Sequence, residues 1–233
     1  MKKIAAHVHT LGRSGCAKVA PVDVVQAYHA AGYHGIAVTN HYMKWVLENY
    51  YPAGDELFKL EFFLDGYREV KSHCERLGMT AFLGMELNLE RYNRPGESYP
   101  VREFLCYGLS EDFILQNPRL YDLSQREAFE LLDAHGIVMC QAHPFRRYAH
   151  LGDPLYMHGV EVFNGHPVHN AGNRIARALA EEFGFIQVAG DDYHDPDGEG
   201  SVALLVPDDV TTDAELALAL RQRRTRIEIY RGR

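Results

Sequence analysis

The sequence predicts an α/β protein built on a mostly parallel sheet. Three observations carry this. Apolar, β-branched runs alternate with helical stretches six to eight times within 233 residues. Several runs end in His, Asp or Glu, the chain polarity that α/β barrels use to build sites at strand C-termini. The composition, 46% hydrophobic and 24% charged, is that of an ordinary globular protein and excludes long disorder, collagen and coiled coil. The length fits one large domain over residues 1–233.

Strand character lies at residues 3–8, 35–39, 81–87, 103–108, 136–141, 159–163, 185–190 and 202–206. Helix 21–31 starts on Pro21, shows Val24, Val25, Tyr28 and Ala31 on one face, and stops before Gly32. Ser124-x-x-Glu127 is a capping box that opens a helix ending near His135-Gly136. Residues 173–183 form a helix with Gly184 after it. A late helix over 213–221 precedes a short strand, 226–230. Residues 42–56 and 91–101 are long aromatic, Gly- and Pro-bearing loops from one end of the strands. An open doubly wound sheet and a closed barrel both fit this order. No GxGxxG or GxxxxGK[ST] follows the first strand, which counts against a nucleotide-binding open sheet.

A net charge of −8, from 24 basic and 32 acidic residues, argues against a long nucleic acid partner. No apolar run reaches 18 residues, so no membrane span is expected. The apolar start ends at His7-Val8-His9, too early for a signal-peptide core. Cys16, Cys74, Cys106 and Cys140 form no CxxC pair and read as free thiols, which predicts a cytoplasmic protein.

His7 and His9 sit at i and i+2 of the first strand, on one face, within reach of one metal ion. Asp192 and His194 repeat that geometry after the strand 185–190, and a carboxylate with an imidazole suits Zn²⁺, Mn²⁺ or Fe²⁺. Three further strands end in His41, Glu86 and His143. Any one of these residues has an ordinary structural explanation. Five strands delivering ligand-type residues at the same end point to a polynuclear metal site.

In order along residues 3–194, His7-x-His9-Thr10, Thr39-Asn40-His41, Gly84-x-Glu86, Ala142-His143-Pro144 and Gly190-x-Asp192-x-His194 resemble the PHP (polymerase and histidinol phosphatase) superfamily. The resemblance implies a distorted (β/α)7 TIM-like barrel, two or three divalent metals (Zn, Mn or Fe) at the strand C-termini, and phosphoester hydrolysis. It implies that His7, His9, Glu86 and Asp192 hold one ion. Glu86 would bridge to a second ion held also by His143, and His41 and His194 would serve a third position. The chain departs from the pattern at Asn40, where Asp is usual, at Cys16, and over residues 103–106, where many members supply a His. Seven ligands with Glu86 bridging make eight metal bonds, so three four-coordinate ions would leave four places for water or phosphate oxygens.

The expected reaction is hydrolysis of a small phosphate monoester by a metal-activated hydroxide. Glu86, Asp192 and His166 are the candidate catalytic residues, His166 as proton donor to the leaving group. Arg146 and Arg147 follow His143 closely, and one of them could clamp phosphate, although a solvated pair is an equal reading. Asn164 is a candidate pocket residue, and His169 suits a capping or structural role. Trp45, with Tyr42, Tyr50 and Tyr51, is either an aromatic lid or a satellite apolar cluster. Cys16 is filler or a soft thiolate ligand. Two alternatives stand beside this reading: an amidohydrolase-type enzyme, disfavoured because no Lys ends a middle strand, and a non-catalytic metal-binding module.

Overall fold

The computed structural model describes residues 1–89 and 102–230; the loop expected over 91–101 lies outside the described residues. The strands are β1 (Lys2–Val8), β2 (Gly35–Val38), β3 (His41–Tyr42), β4 (Thr80–Asn88), β5 (Glu103–Tyr107), β6 (Val138–Gln141), β7 (Gly159–Asn164), β8 (Ile186–Gly190), β9 (Val202–Val206) and β10 (Arg226–Ile229). Their spatial order is β10-β9-β1-β2-β4-β5-β6-β7-β8, with the short β3 against β4. The sheet curls until its ends meet. Tyr193, just past β8, bridges Val8 in parallel. Its N–H donates to His7 O at 3.2 Å, and its carbonyl accepts from His9 N at 3.1 Å. The result is a nearly closed barrel. From β1 round to β8 the wall contains seven strands, and β9 and β10 form an antiparallel ribbon on the first half of β1.

The wall is distorted because β5 runs antiparallel to both β4 and β6. Its first residue, rather than its last, therefore lies at the rim where the parallel strands end. The helices are α1 (Pro21–Ala30), α2 (Glu56–Arg76), α3 (Glu111–Gln116), α4 (Gln125–Ala134), α5 (Asn173–Phe183) and α6 (Asp213–Arg221). The capping box at Ser124 and Glu127 is formed, and Gly184 closes α5 at φ 63°. The longest helix, α2, is the element the sequence reading did not single out. Asp55 caps it by accepting from Phe58 N, and Leu60, Phe63, Leu64, Tyr67, Val70 and Cys74 form its buried stripe.

Two apolar clusters hold the layers together. One packs α1, α2, α3 and α4 on the barrel wall through Val24, Tyr28, Leu64, Val70, Ile114 and Leu132. The other joins Ile4, Phe82, Tyr107, Val138 and Ile186 to Leu216, Ala217 and Leu220 of α6. These strand residues lie at the beginnings of the parallel strands and the end of β5, so α6 plugs the rim opposite the strand C-termini. That leaves one open end for chemistry. No described helix is long and apolar enough to cross a membrane.

Candidate metal centre

Each parallel strand delivers its polar residue where its hydrogen-bond ladder ends. His7 and His9, at the end of β1, bring their Nε2 atoms within 3.1 Å of each other. His7 Nδ1 lies 2.9 Å from the Glu161 carboxylate, an acceptor only, so the ring proton belongs on Nδ1. His9 Nδ1 lies 3.0 Å from Ser14 Oγ. That hydroxyl donates to Asn40 Oδ1 at 3.1 Å, so it accepts the His9 Nδ1 proton. Both Nε2 lone pairs are thus turned to a common point.

Two carboxylates meet them there. Glu86 Oε2, at the end of β4, lies 3.5 Å from His7 Nε2 and 3.3 Å from His9 Nε2. Asp192 Oδ1 lies 3.3 Å and 3.5 Å from the same atoms. All four residues are buried, and neither carboxylate oxygen has a hydrogen-bond partner. Two bare nitrogen lone pairs and two orphaned anionic oxygens crowded together in a buried pocket are what a divalent cation would satisfy. The donor set fits the metals that the sequence pattern implies.

The other expected ligands join the same cluster. His143 Nε2 lies 3.0 Å from Glu86 Oε1, and His41 Nδ1 lies 2.9 Å from Glu86 Oε2. His194 stacks on His9 with ring centroids 4.2 Å apart. Ligand atoms of His9, His41 and His194 fall within 4.8 Å of one another, as do those of His7, His143 and Asp192. All seven sequence-predicted ligands therefore converge on one rim. His143 (φ 26°) and Asp192 (φ 51°) occupy the left-handed region that non-glycine residues avoid. In Asp192 this turn faces the carboxylate into the site. The preceding Asp191 points away and accepts from Tyr28 Oη and the Gly200 and Ser201 amides.

The electrostatics follow from this crowding. Burial alone would push Glu86 and Asp192 up, but the imidazoles around Glu86, and His7, His9, His194 and Arg146 around Asp192, hold both well below the ordinary carboxylate range. Burial would likewise suppress the charged form of His7, yet Asp192, Glu161 and Glu86 raise its pKa well above the usual value, so without a cation its Nε2 takes up a proton that a bound ion would displace. His166 goes the other way. Burial brings it down to about 4 against the pull of Asp192, with Arg146, His169 and His194 adding to the lowering. Its Nδ1 accepts from Val168 N at 3.2 Å, leaving the proton on Nε2. His166 at neutral pH is thus an uncharged hydrogen-bond donor.

Among the substrate-binding candidates, Arg146 reaches the centre and pairs with Asp192 Oδ2 at 2.6 Å. Asn164 donates to Glu161 Oε2 at 3.0 Å and to Asp192 Oδ2 at 3.2 Å. Arg147 does not join them. It is exposed, with its guanidinium 4.7 Å over the Tyr148 ring. His169 is not a cap, because Gly172 occupies that position of α5; its ring lies 4.4 Å from His166. Tyr42 and Tyr51 are core residues, whereas Trp45 is 57% exposed. Asn40, in place of the usual Asp, accepts from Thr10 N at 2.8 Å and from Ser14 Oγ, so it orders the loop that orients His9.

Two buried carboxylates escaped the sequence reading. Glu161, inside β7, binds His7 Nδ1 and accepts from His143 N at 2.9 Å. Glu103 opens β5 and lies 3.7 Å from both His41 Nδ1 and His143 Nε2. Glu161 stands three positions before Asn164 in a strand whose apolar pattern it interrupts, which was its only signal. Glu103 was hidden by the reversed direction of β5.

No family model matches the chain, and no curated protein matches its sequence significantly. Solved structures do match. A two-domain protein containing a predicted PHP-like metal-dependent phosphoesterase, from Bacteroides vulgatus ATCC 8482, aligns over 98% of this chain with TM-score 0.65 and 20% identity. The chain spans 65% of that protein's length. An amidohydrolase from Chromobacterium violaceum with bound SO4 aligns over 97% of both chains with TM-score 0.57 and 14% identity. The lesion-specific endonuclease PfuEndoQ from Pyrococcus furiosus aligns over 97% of this chain and 57% of its own, with TM-score 0.51 and 14% identity. At these identities the likeness is one of architecture: the chain has the barrel fold shared with PHP-like metal-dependent phosphoesterases.

Proposed function

We propose that this chain is a single-domain, metal-dependent hydrolase of the PHP type that cleaves a small phosphate monoester. The observation that carries the reading is the buried meeting of His7, His9, Glu86 and Asp192, with Arg146 beside it. His7, His9, Glu86 and Asp192 would hold one ion, Glu86 and His143 a second, and His41 and His194 a further position. Bound divalent ions supply Lewis acidity, lowering the pKa of water and offsetting charge on phosphoryl oxygens.

The protein's own groups complete the site. Glu161 and the Ser14–Asn40 pair fix the His7 and His9 tautomers before substrate arrives. Arg146, tethered by Asp192 Oδ2, presents its remaining guanidinium N–H groups to a phosphate oxygen. Neutral His166 would donate a hydrogen bond from Nε2–H to the leaving oxygen, which takes its proton from solvent. Asn164 ties Asp192 and Glu161 together by donating to both, so that neither turns away from the centre. Two or three bound divalent ions, with Arg146, would offset the buried carboxylates Glu86, Glu103, Glu161 and Asp192 and make the pocket attractive to anions, although the chain carries −8 overall.

Three kinds of support bear on substrate class. The aligned phosphoesterase favours an ester of phosphoric acid. The aligned amidohydrolase, with its bound SO4, keeps amide hydrolysis as the second reading. The aligned lesion-specific endonuclease makes an oligonucleotide substrate an outcome to be tested. We propose a cytoplasmic location from the free thiols. The test is turnover of p-nitrophenyl phosphate, an N-acyl amide panel and a labelled oligonucleotide by Mn²⁺- or Zn²⁺-loaded protein. Monoester turnover lost in Asp192→Asn supports the reading. Turnover of amides alone, or of none, overturns it.

A further inference from the structure

We propose that Glu103 is a metal ligand, and that it makes the second position, which it shares with Glu86 and His143 and which adjoins His41, a carboxylate-rich site biased toward Mn²⁺ relative to Zn²⁺. This rests on the metallohydrolase reading above and concerns a residue that the sequence pattern did not assign. The pattern leads one to seek a His over residues 103–106, where this chain has Glu, Phe, Leu and Cys. Phe104, Leu105 and Cys106 are packed in the core. Glu103 alone reaches the site, because β5 is antiparallel and begins at that rim.

Glu86 and Glu103 face the same two nitrogens. Glu86 Oε2 and Oε1 lie 2.9 Å from His41 Nδ1 and 3.0 Å from His143 Nε2. Glu103 Oε1 and Oε2 lie 3.7 Å from those same atoms. Ligand atoms of His41, Glu86 and Glu103 fall within 4.8 Å of one another. A spacing of 3.7 Å is too long for a hydrogen bond, and Glu103 Oε1 has no partner although the residue is only 8% exposed. Two buried carboxylates held side by side repel unless something cationic lies between them. Metal bonds of about 2.0–2.2 Å put neighbouring donors of one tetrahedral ion about 3.4 Å apart. The observed 2.9–3.7 Å spacings bracket that value.

The chemical consequence is selectivity. An imidazole at this position would give a nitrogen-rich set that suits Zn²⁺. A second carboxylate hardens the site and narrows the advantage Zn²⁺ ordinarily holds over Mn²⁺. It also cancels one more positive charge, so the site carries an additional ion at little net cost in charge.

The experiment compares wild type, E103Q and E103H. Each is stripped with chelator, reloaded with Mn²⁺, Zn²⁺ or both in competition, and analysed for ions per chain. E103Q keeps the shape and loses the charge; it should hold one ion fewer, or hold it at least roughly tenfold more weakly. E103H should regain the ion, with the Zn²⁺-to-Mn²⁺ preference moved toward Zn²⁺ by about tenfold or more. Thermal melts of the stripped proteins control for folding, and E103H carries the comparison if E103Q does not fold. Unchanged stoichiometry and unchanged relative affinity in both variants would overturn the assignment while leaving the metal centre in place. A wild type that retains no ion would remove the metallohydrolase reading itself.

Discussion

At the scale of single residues, function depends on which nitrogen or oxygen is left bare. His7 and His9 present Nε2 only because Glu161 and Ser14 occupy their Nδ1 atoms. Asp192→Asn or His9→Ala should abolish phosphomonoester turnover while circular dichroism stays that of the folded wild type. Wild-type rates in both variants would contradict the site. Arg146→Ala should raise KM more than it lowers kcat, because phosphate binding loses its bidentate partner; unchanged KM and kcat would return Arg146 to a surface role. Cys16 offers a separate check. Burial raises its thiol, but hydrogen bonds to His194 and His41 prevail and bring it down to about 6. Cys16 is exposed, whereas Cys74, Cys106 and Cys140 are buried with raised pKa values. In chelator-treated protein at pH 7, iodoacetamide should label Cys16 alone, and metal loading should slow it. Labelling of a buried cysteine at an equal rate would contradict the packing. The seven candidate ligands were legible in sequence because each is written at a strand end. Glu161 was not, since a Glu inside a strand has no distinguishing pattern until the fold supplies His7 as its partner.

At the scale of elements, the site is set by where strands stop and which way they run. The i, i+2 spacing placed His7 and His9 on one face, as the strand period requires. The direction of β5 carried no such signal. An antiparallel and a parallel strand of five apolar residues read alike, and for that reason Glu103 stayed hidden. The α2 stripe was readable but lay beyond a loop rich in turn residues. Gly190 at the end of β8 makes a sharper point. A Cβ there would lie 2.3 Å from His7 Cβ and 2.7 Å from His7 N. Gly190→Ala should therefore push β8 off β1, cost about 1–3 kcal/mol by overpacking, and weaken metal binding by displacing His7. Unaltered melting and metal affinity would show that the seam tolerates the methyl. At the opposite end, burial pushes Asp213 of α6 up to about 6, against the hydrogen bond from Leu83 N. Its folded pKa exceeds the unfolded value of about 3.9. The folded chain thus gains stability from this proton below about pH 4 and loses it as pH rises through about 6. Asp213→Asn should shrink the difference in urea midpoint between pH 4 and pH 7, and an undiminished difference would refute this.

At the scale of the whole molecule, an acidic chain folds round a centre that is cation-seeking when empty of charge partners and anion-seeking once filled. The fold class, the open rim and the order of the motifs were all readable, because βα alternation and strand-end polarity are local patterns. The closure of the barrel through Tyr193, and the use of α6 as a plug, depend on contacts between residues far apart in sequence and left no local trace. Metal binding to the folded state alone should raise the melting temperature with the logarithm of free ion over dissociation constant. Anomalous diffraction from crystals soaked with phosphate tests the central claim most directly. The account predicts two or three strong peaks bounded by His7, His9, Glu86, His143 and Asp192, with the phosphate bound between them and Arg146. No peak among these side chains, or an ion held without His7 and Asp192, would contradict it.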